Sequence, residues 1–241
     1  MASLSSVIAF FQQGRLQEAA AAVDEILAQD PTNALALNVA GAIVMTAGNA
    51  ENAEALWRAA IAYNPNLPEA HNNLGALLHD SGRFADAETT LQAALAIQDT
   101  NSAAHYNLGR VYMAQAKLDE AEKSFQRALA LRPDYPEALI NLGLTARDRG
   151  QFEQAEQALR EALRLAPDYR EARWNLALVL LARGNYAEGW PLYDTRDQLP
   201  PGARPPDPDG FTASEWHGEP LNGKSIIVLR EQGLGDEIMC A

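Results

Sequence analysis

Along the chain, apolar residues recur at the i, i+3, i+4 spacing of helix faces, in stretches separated by short polar breaks. The breaks are regular. Pro31, Pro65, Pro133 and Pro167 lie on one lattice of 34 residues, with Asp99 filling the missing place. Gly41, Gly75, Gly109 and Gly143 share that period, with Ala177 next. So do Ala19, Ala53, Ala87, Ala121 and Ala155, with Gly189 next. Three series of breakers and small residues on one period mark a tandem repeat, and the repeat decides the architecture.

Each repeat reads as a helical hairpin. In the fourth, SAAHYNLGRVYMAQA is the first helix and LDEAEKSFQRALAL the second. Gly109 and Ala121 remove side chains where the two helices must approach, and Leu108, Tyr112 and Phe125 fill the space between them. Turns such as SGRF (81–84) and RGQF (149–152) end the first helix with a glycine able to take positive φ. Pro133, after the second helix, cannot continue one. No hairpin buries its apolar face alone, so stacking of neighbours supplies the core. The ends depart from the pattern. Val7, Ile8, Phe10 and Phe11 in the first helix predict an imperfect closure of the array. Asn185 and Glu188 have capping-box spacing, and Pro191 falls where it should kink or shift the last helix.

A 34-residue period with Leu-Gly in one helix, Ala in the next and Pro at the end resembles the tetratricopeptide-repeat (TPR) family. The resemblance spans residues 1–196, about six repeats. It implies an all-α, right-handed superhelical solenoid whose first helices line a concave groove. Asn73, Asn107, Asn141 and Asn175 each stand two residues before the lattice Gly or Ala, while Val39 takes that place in the second repeat. This resembles the asparagine ladder of TPR-linked O-GlcNAc transferases. A primary amide both donates and accepts, so such a ladder can hold a peptide backbone. The alternative is that these amides bond to neighbouring helices and stabilise stacking. Asn72, Tyr106, Arg110, Met113, Arg147 and Trp174 are further groove candidates. Arg110 and Arg147 alone offer groove cations, too few for the family's carboxylate clamp.

Charge narrows the partners. The chain carries 32 acids against 19 bases, a net charge of −13. Nucleic acid and anionic membrane require a positive footprint, so neither is expected as partner. The acids read as solvated helix faces. No apolar run is long enough to span a bilayer, and the N-terminus lacks the basic region of a signal peptide. Cys240 is the only cysteine, so no intrachain disulfide is expected and a cytoplasmic setting fits. His71 and His105 share a repeat position, but without further ligands they make no metal site. Nothing in the sequence calls for a metal or a cofactor.

The composition changes after Arg196. Residues 197–223 read as a proline-rich linker. Ile226–Leu229 read as a buried parallel strand, followed by the glycine-rich turn Gly233-Leu234-Gly235-Asp236. Together with Trp216, Gly218, Gly223 and Lys224, this arrangement looks like the junction in bacterial TPR-glycosyltransferase proteins of the O-GlcNAc-transferase-like or heptosyltransferase-like GT-B type. The resemblance implies that 224–241 begin a truncated α/β domain, with Asp236 as candidate base in a longer parent. The donor-sugar domain has no counterpart, so no catalysis is expected of this chain. Three readings follow: a scaffold binding an extended peptide, the substrate-presenting part of a glycosyltransferase, and a structural module with an empty groove. The strand at 225–230 is expected to pair with a second copy, as a homodimer, in preference to disorder or folding back.

Overall fold

The computed structural model describes residues 3–193. The linker, the strand at 225–230 with the dimer it implied, and Asp236 lie outside the described residues. Within them the chain is all-α, in six hairpins: α1 (Leu4–Gln12) with α2 (Leu16–Gln29), α3 (Ala34–Thr46) with α4 (Ala50–Tyr63), α5 (Pro68–Asp80) with α6 (Phe84–Ile97), α7 (Ser102–Ala114) with α8 (Leu118–Leu131), α9 (Pro136–Asp148) with α10 (Phe152–Leu165), and α11 (Arg170–Ala182) with α12 (Tyr186–Tyr193). From α3 onward every odd helix starts on the 34-residue lattice, as every even helix does from α2.

Sterics fix each hairpin. A Cβ added at Gly41, Gly75, Gly109 or Gly143 would stand 2.5, 2.5, 2.6 or 2.9 Å from Trp57, Leu91, Phe125 or Leu159. In these four hairpins the even helix thus presses one large side chain onto the bare backbone of its odd partner, and in the sixth Leu181 of α11 presses onto Gly189 of α12. The lattice alanines Ala19, Ala53, Ala87, Ala121 and Ala155 are fully buried. Phe125 is fully buried and Leu108 nearly so, while Tyr112 stays half-buried with its hydroxyl 3.3 Å from the Gln92 amide. Turns between odd and even helices use positive φ at Gly14, Gly48, Gly82, Gly150 and Gly184, and at Ala116 in the fourth hairpin. Pro68 and Pro136 open α5 and α9, where a missing N–H costs nothing.

Each helix packs on the next in sequence. Each odd helix also packs on the following odd one, from α1 on α3 to α9 on α11. No two even helices pack comparably among the described residues. Helices that touch their own kind at every step stand closer together than those that do not, so the odd helices form the inner side of the array.

The ends differ from the middle. α1 has nine residues against thirteen in the other odd helices, and Ile8 is left exposed beside the buried Val7. α12 runs unbroken through Pro191. The pair expected to form a capping box meets side chain to side chain, the Asn185 amide donating to Glu188 at 3.1 Å.

Candidate functional site

The odd helices bring the candidate residues together at two adjacent positions of the repeat. One holds Asn38, Asn72, Tyr106, Ile140 and Trp174; the next holds Val39, Asn73, Asn107, Asn141 and Asn175. The second position donates across the hairpin boundary to the first. Asn73 Nδ2 reaches Asn38 Oδ1 at 3.0 Å, Asn107 reaches Asn72 at 3.0 Å, and Asn141 reaches the Tyr106 hydroxyl at 3.3 Å. Ile140 offers no acceptor to Asn175. That amide turns instead to the Glu171 carbonyl at 2.8 Å and accepts from Arg147 at 2.8 Å. Asn107 and Asn175 are buried, whereas Asn73 and Asn141 are half-buried. The ladder therefore ties α5, α7 and α9 each to the odd helix before it, and Arg147 ties α9 to α11, as the alternative of bonding to neighbouring helices has it. Asn73, Asn107 and Asn141 each spend an N–H on this work. The acceptor row does not: among the described residues, the half-buried Asn38 and Asn72 receive bonds but donate none through their side-chain nitrogens.

The other candidates sit beside this ladder. Arg110 bonds Asp80 at 2.8 Å and lies 5.9 Å from the Tyr106 ring centre. Burial tends to raise the Asp80 pKa, but hydrogen bonds from His79 and Arg110 outweigh it and hold the carboxyl below its ordinary value. Arg147 is held by Asp148 at 2.8 Å as well as by Asn175. Both strip cations are thus neutralised internally. Met113 is half-buried. Trp174 stacks on Tyr193 with centroids 4.7 Å apart, and Trp190 meets Tyr193 edge-on at 5.5 Å. Burial raises the Tyr106 pKa, and pushes that of Tyr135 up to about 12.

Two sets of residues take roles the sequence did not disclose. His71 Nε2 bonds the Pro65 carbonyl and His105 Nε2 the Asp99 carbonyl, both at 2.9 Å, and Arg173 bonds the Pro167 carbonyl at 2.8 Å. The shared histidine position thus pins the loop six residues upstream. The second set is a glutamate series, Glu54, Glu88, Glu122 and Glu156, one on each of α4, α6, α8 and α10. Each is half-buried and takes a cation from the following hairpin: Arg83 at 2.5 Å, Lys117 at 2.9 Å, Arg149 at 3.0 Å, and Arg183. These acids are not the solvated surface expected of them. Among the described residues no group of His, Cys, Asp and Glu is arranged to hold a metal, and no helix is long and apolar enough to cross a membrane.

Comparison with known proteins gives the same picture. No curated protein matches the chain. Among solved structures, PilF of Pseudomonas aeruginosa is 18% identical, covers 83% of this chain and 90% of its own, and superposes with a TM-score of 0.74. PilW, a widely conserved type IV pilus biogenesis factor, is 23% identical over 80% of this chain and 90% of its own, with a TM-score of 0.73. YrrB, a TPR protein with an unusual peptide-binding site, is 22% identical over 75% of this chain and 90% of its own, at 0.57. These likenesses establish the fold. Family models described as tetratricopeptide repeat match residues 1–34, 44–100, 99–168 and 140–202. With the period, the hairpins and the packing of large side chains on the lattice glycines already in place, the chain belongs to the tetratricopeptide-repeat family.

Proposed function

We propose that the chain is a protein-interaction scaffold that holds an extended segment of a partner along the strip formed by the odd helices. The observation that carries this reading is the unspent side-chain N–H groups of Asn38 and Asn72, on a strip that continues into Tyr106 and Trp174. Amide donors on a partly covered surface favour carbonyl acceptors. An extended peptide supplies these at intervals while its side chains meet the aromatic half. The peptide-binding site named for YrrB is in keeping with this use of the fold. The buried Asn107 and Asn175 belong to the scaffold in this reading, and the half-buried Asn38 and Asn72 to the ligand.

The test is a peptide array probed with the chain and two arginine variants. Ala76→Arg obstructs the inner strip four residues after Asn72, at the repeat position where α7 already carries Arg110. Ala62→Arg is its control on an exposed site of α4, where α10 already carries Arg164. Peptide binding lost in the first variant and kept in the second supports the scaffold. Binding unchanged in both, or lost in both, dismisses the inner strip.

A second reading rests on the sequence of 184–236 alone: the array presents substrate to a glycosyltransferase-like unit in which Asp236 is the base. It requires sugar transfer from a nucleotide-sugar donor by the native gene product. Transfer that survives Asp236→Asn would dismiss that role.

A further inference from the structure

We propose that the rim of the inner strip, across the last three hairpins, receives a positively charged side chain, so that the peptide held by the scaffold is a basic one. The proposal rests on the peptide-binding reading above and gives it a ligand class.

The rim has a chemistry the earlier hairpins lack. At the residue preceding each odd helix, the chain carries Asn33, Leu67 and Asn101, then Tyr135 and Tyr169. Tyr135 packs on Tyr106 with ring centres 4.9 Å apart. It is only 8% exposed, yet its hydroxyl has no hydrogen-bond partner among the described residues and still meets solvent. Two residues beyond each tyrosine stand Glu137 and Glu171, whose carboxylates enter no ion pair among the described residues. The charge of Glu137 bears on the hydroxyls of Tyr106, Tyr135 and Tyr169, opposed by Arg110 at the first two and by Arg132 at Tyr135.

An acid in the first turn of a helix complements the macrodipole, which accounts equally for Glu69 on α5. The dipole does not account for the tyrosines. Aromatic faces beside unpaired carboxylates form a receptor for cations, since the ring quadrupole and the negative charge attract the same partner. The chain itself supplies a stand-in. Arg132, which meets no carboxylate among the described residues, places its guanidinium 4.5 Å from the Tyr135 ring centre. Tyr169 has no such occupant among the described residues, and Arg170 beside it is engaged by another contact. The strip's Arg110 and Arg147 are neutralised by Asp80 and Asp148, while Glu137 and Glu171 are left without an ion pair among the described residues.

Three labelled peptides of one extended, leucine-containing sequence carry lysine, glutamine or glutamate at the same positions. Their binding is read by fluorescence anisotropy with the full chain, with Glu137→Gln/Glu171→Gln, and with Ala76→Arg. The substituted glutamates are in helix first turns, Glu171 exposed and Glu137 half-buried, and circular dichroism verifies that the helices persist. The lysine peptide is expected to bind most tightly, and to lose about tenfold in affinity in the double-glutamine variant, two weak ion pairs being removed. Its affinity falls with added salt, and the glutamine peptide is indifferent to the variant. Equal binding of lysine and glutamine peptides, both blocked by Ala76→Arg, overturns the basic-ligand inference and leaves the scaffold reading standing. Lysine-peptide binding unchanged in the double-glutamine variant overturns it too. Binding of all three peptides unaffected by Ala76→Arg overturns the scaffold reading itself.

Discussion

At the scale of single residues, backbone conformation and hydrogen-bond satisfaction decide what each repeat tolerates. Ala116 has φ of 57°, where the equivalent residues of the other five hairpins are glycines. A left-handed conformation costs an L-residue roughly 1–2 kcal/mol, part of which glycine returns as unfolded-state entropy. Ala116→Gly is therefore expected to stabilise the chain by about 0.5–1 kcal/mol, seen as a rise of about 2 °C in melting temperature. Asn107 is the opposite case. It is 8% exposed and bonds Asn72 at 3.0 Å, so Asn107→Ala should cost about 1–3 kcal/mol in urea unfolding. If the ladder served a ligand alone, stability would not change. The sequence showed that these asparagines share a position but not which way they bond. Their acceptors lie one residue off the lattice, 35 positions back, where Asn, Asn, Tyr and Ile alternate. The histidines were illegible for a related reason. Their partners are backbone carbonyls six residues upstream, and any residue type supplies a carbonyl.

Between elements, the contact of each odd helix with its even partner was the most legible part of the fold, because sterics leave few alternatives at Gly109 facing Phe125. A methyl group at Gly109 would stand 2.6 Å from the fully buried Phe125 ring. Alanine gains about 1 kcal/mol over glycine in a helix, whereas overpacking costs about 1–3 kcal/mol. Gly109→Ala is expected to destabilise on balance. Combined with Phe125→Ala, it should cost less than the sum of the two single changes, and strict additivity in that cycle would remove the close approach as the reason for glycine. The ion pairs between hairpins were less legible. Glu54, Glu88, Glu122 and Glu156 keep the period, but their cations sit at two different repeat positions, Arg83 and Lys117 at one, Arg149 and Arg183 at the other. A lattice drawn on either cation series alone shows only half the pairing. The hydrogen bond from Lys117 holds the Glu88 carboxyl below its usual value. A carboxylate with a folded pKa below its unfolded one contributes stability that is complete above the unfolded value, about 4.3, and is lost as the pH falls through the folded value. Melting temperature should accordingly decline below pH of about 4.3, and less steeply in Glu88→Gln than in the parent. Equal slopes would show that the pair carries no linkage.

For the whole molecule, stability is the sum of hairpins that cannot stand alone and interfaces that each join two neighbours. Every packing, ladder and ion-pair contact described between hairpins joins adjacent ones among the described residues. Cooperation between the two ends therefore passes through the centre of the array. The tryptophans report this directly. Trp57 lies in the second hairpin, Trp174 and Trp190 in the sixth, and the third to fifth hairpins have none. A Trp57→Phe variant carrying only the far reporters, and a Trp174→Phe/Trp190→Phe variant carrying only the near one, thus read the two ends separately; Trp216→Phe in both removes the remaining signal. In the parent chain the interfaces are continuous, and the two denaturant transitions are expected to coincide. Gly109→Leu then places a large side chain against Phe125 in the fourth hairpin, too bulky for the helix pair to close. With the centre weakened, each end keeps only its own neighbours, and the ends differ. The first closes on the short α1 and the sixth on the exposed Tyr186 and Trp190. The two transitions should separate in that variant. Coincident transitions at a lower midpoint would mean that the array unfolds as one unit despite the broken centre, and that coupling reaches beyond adjacent hairpins.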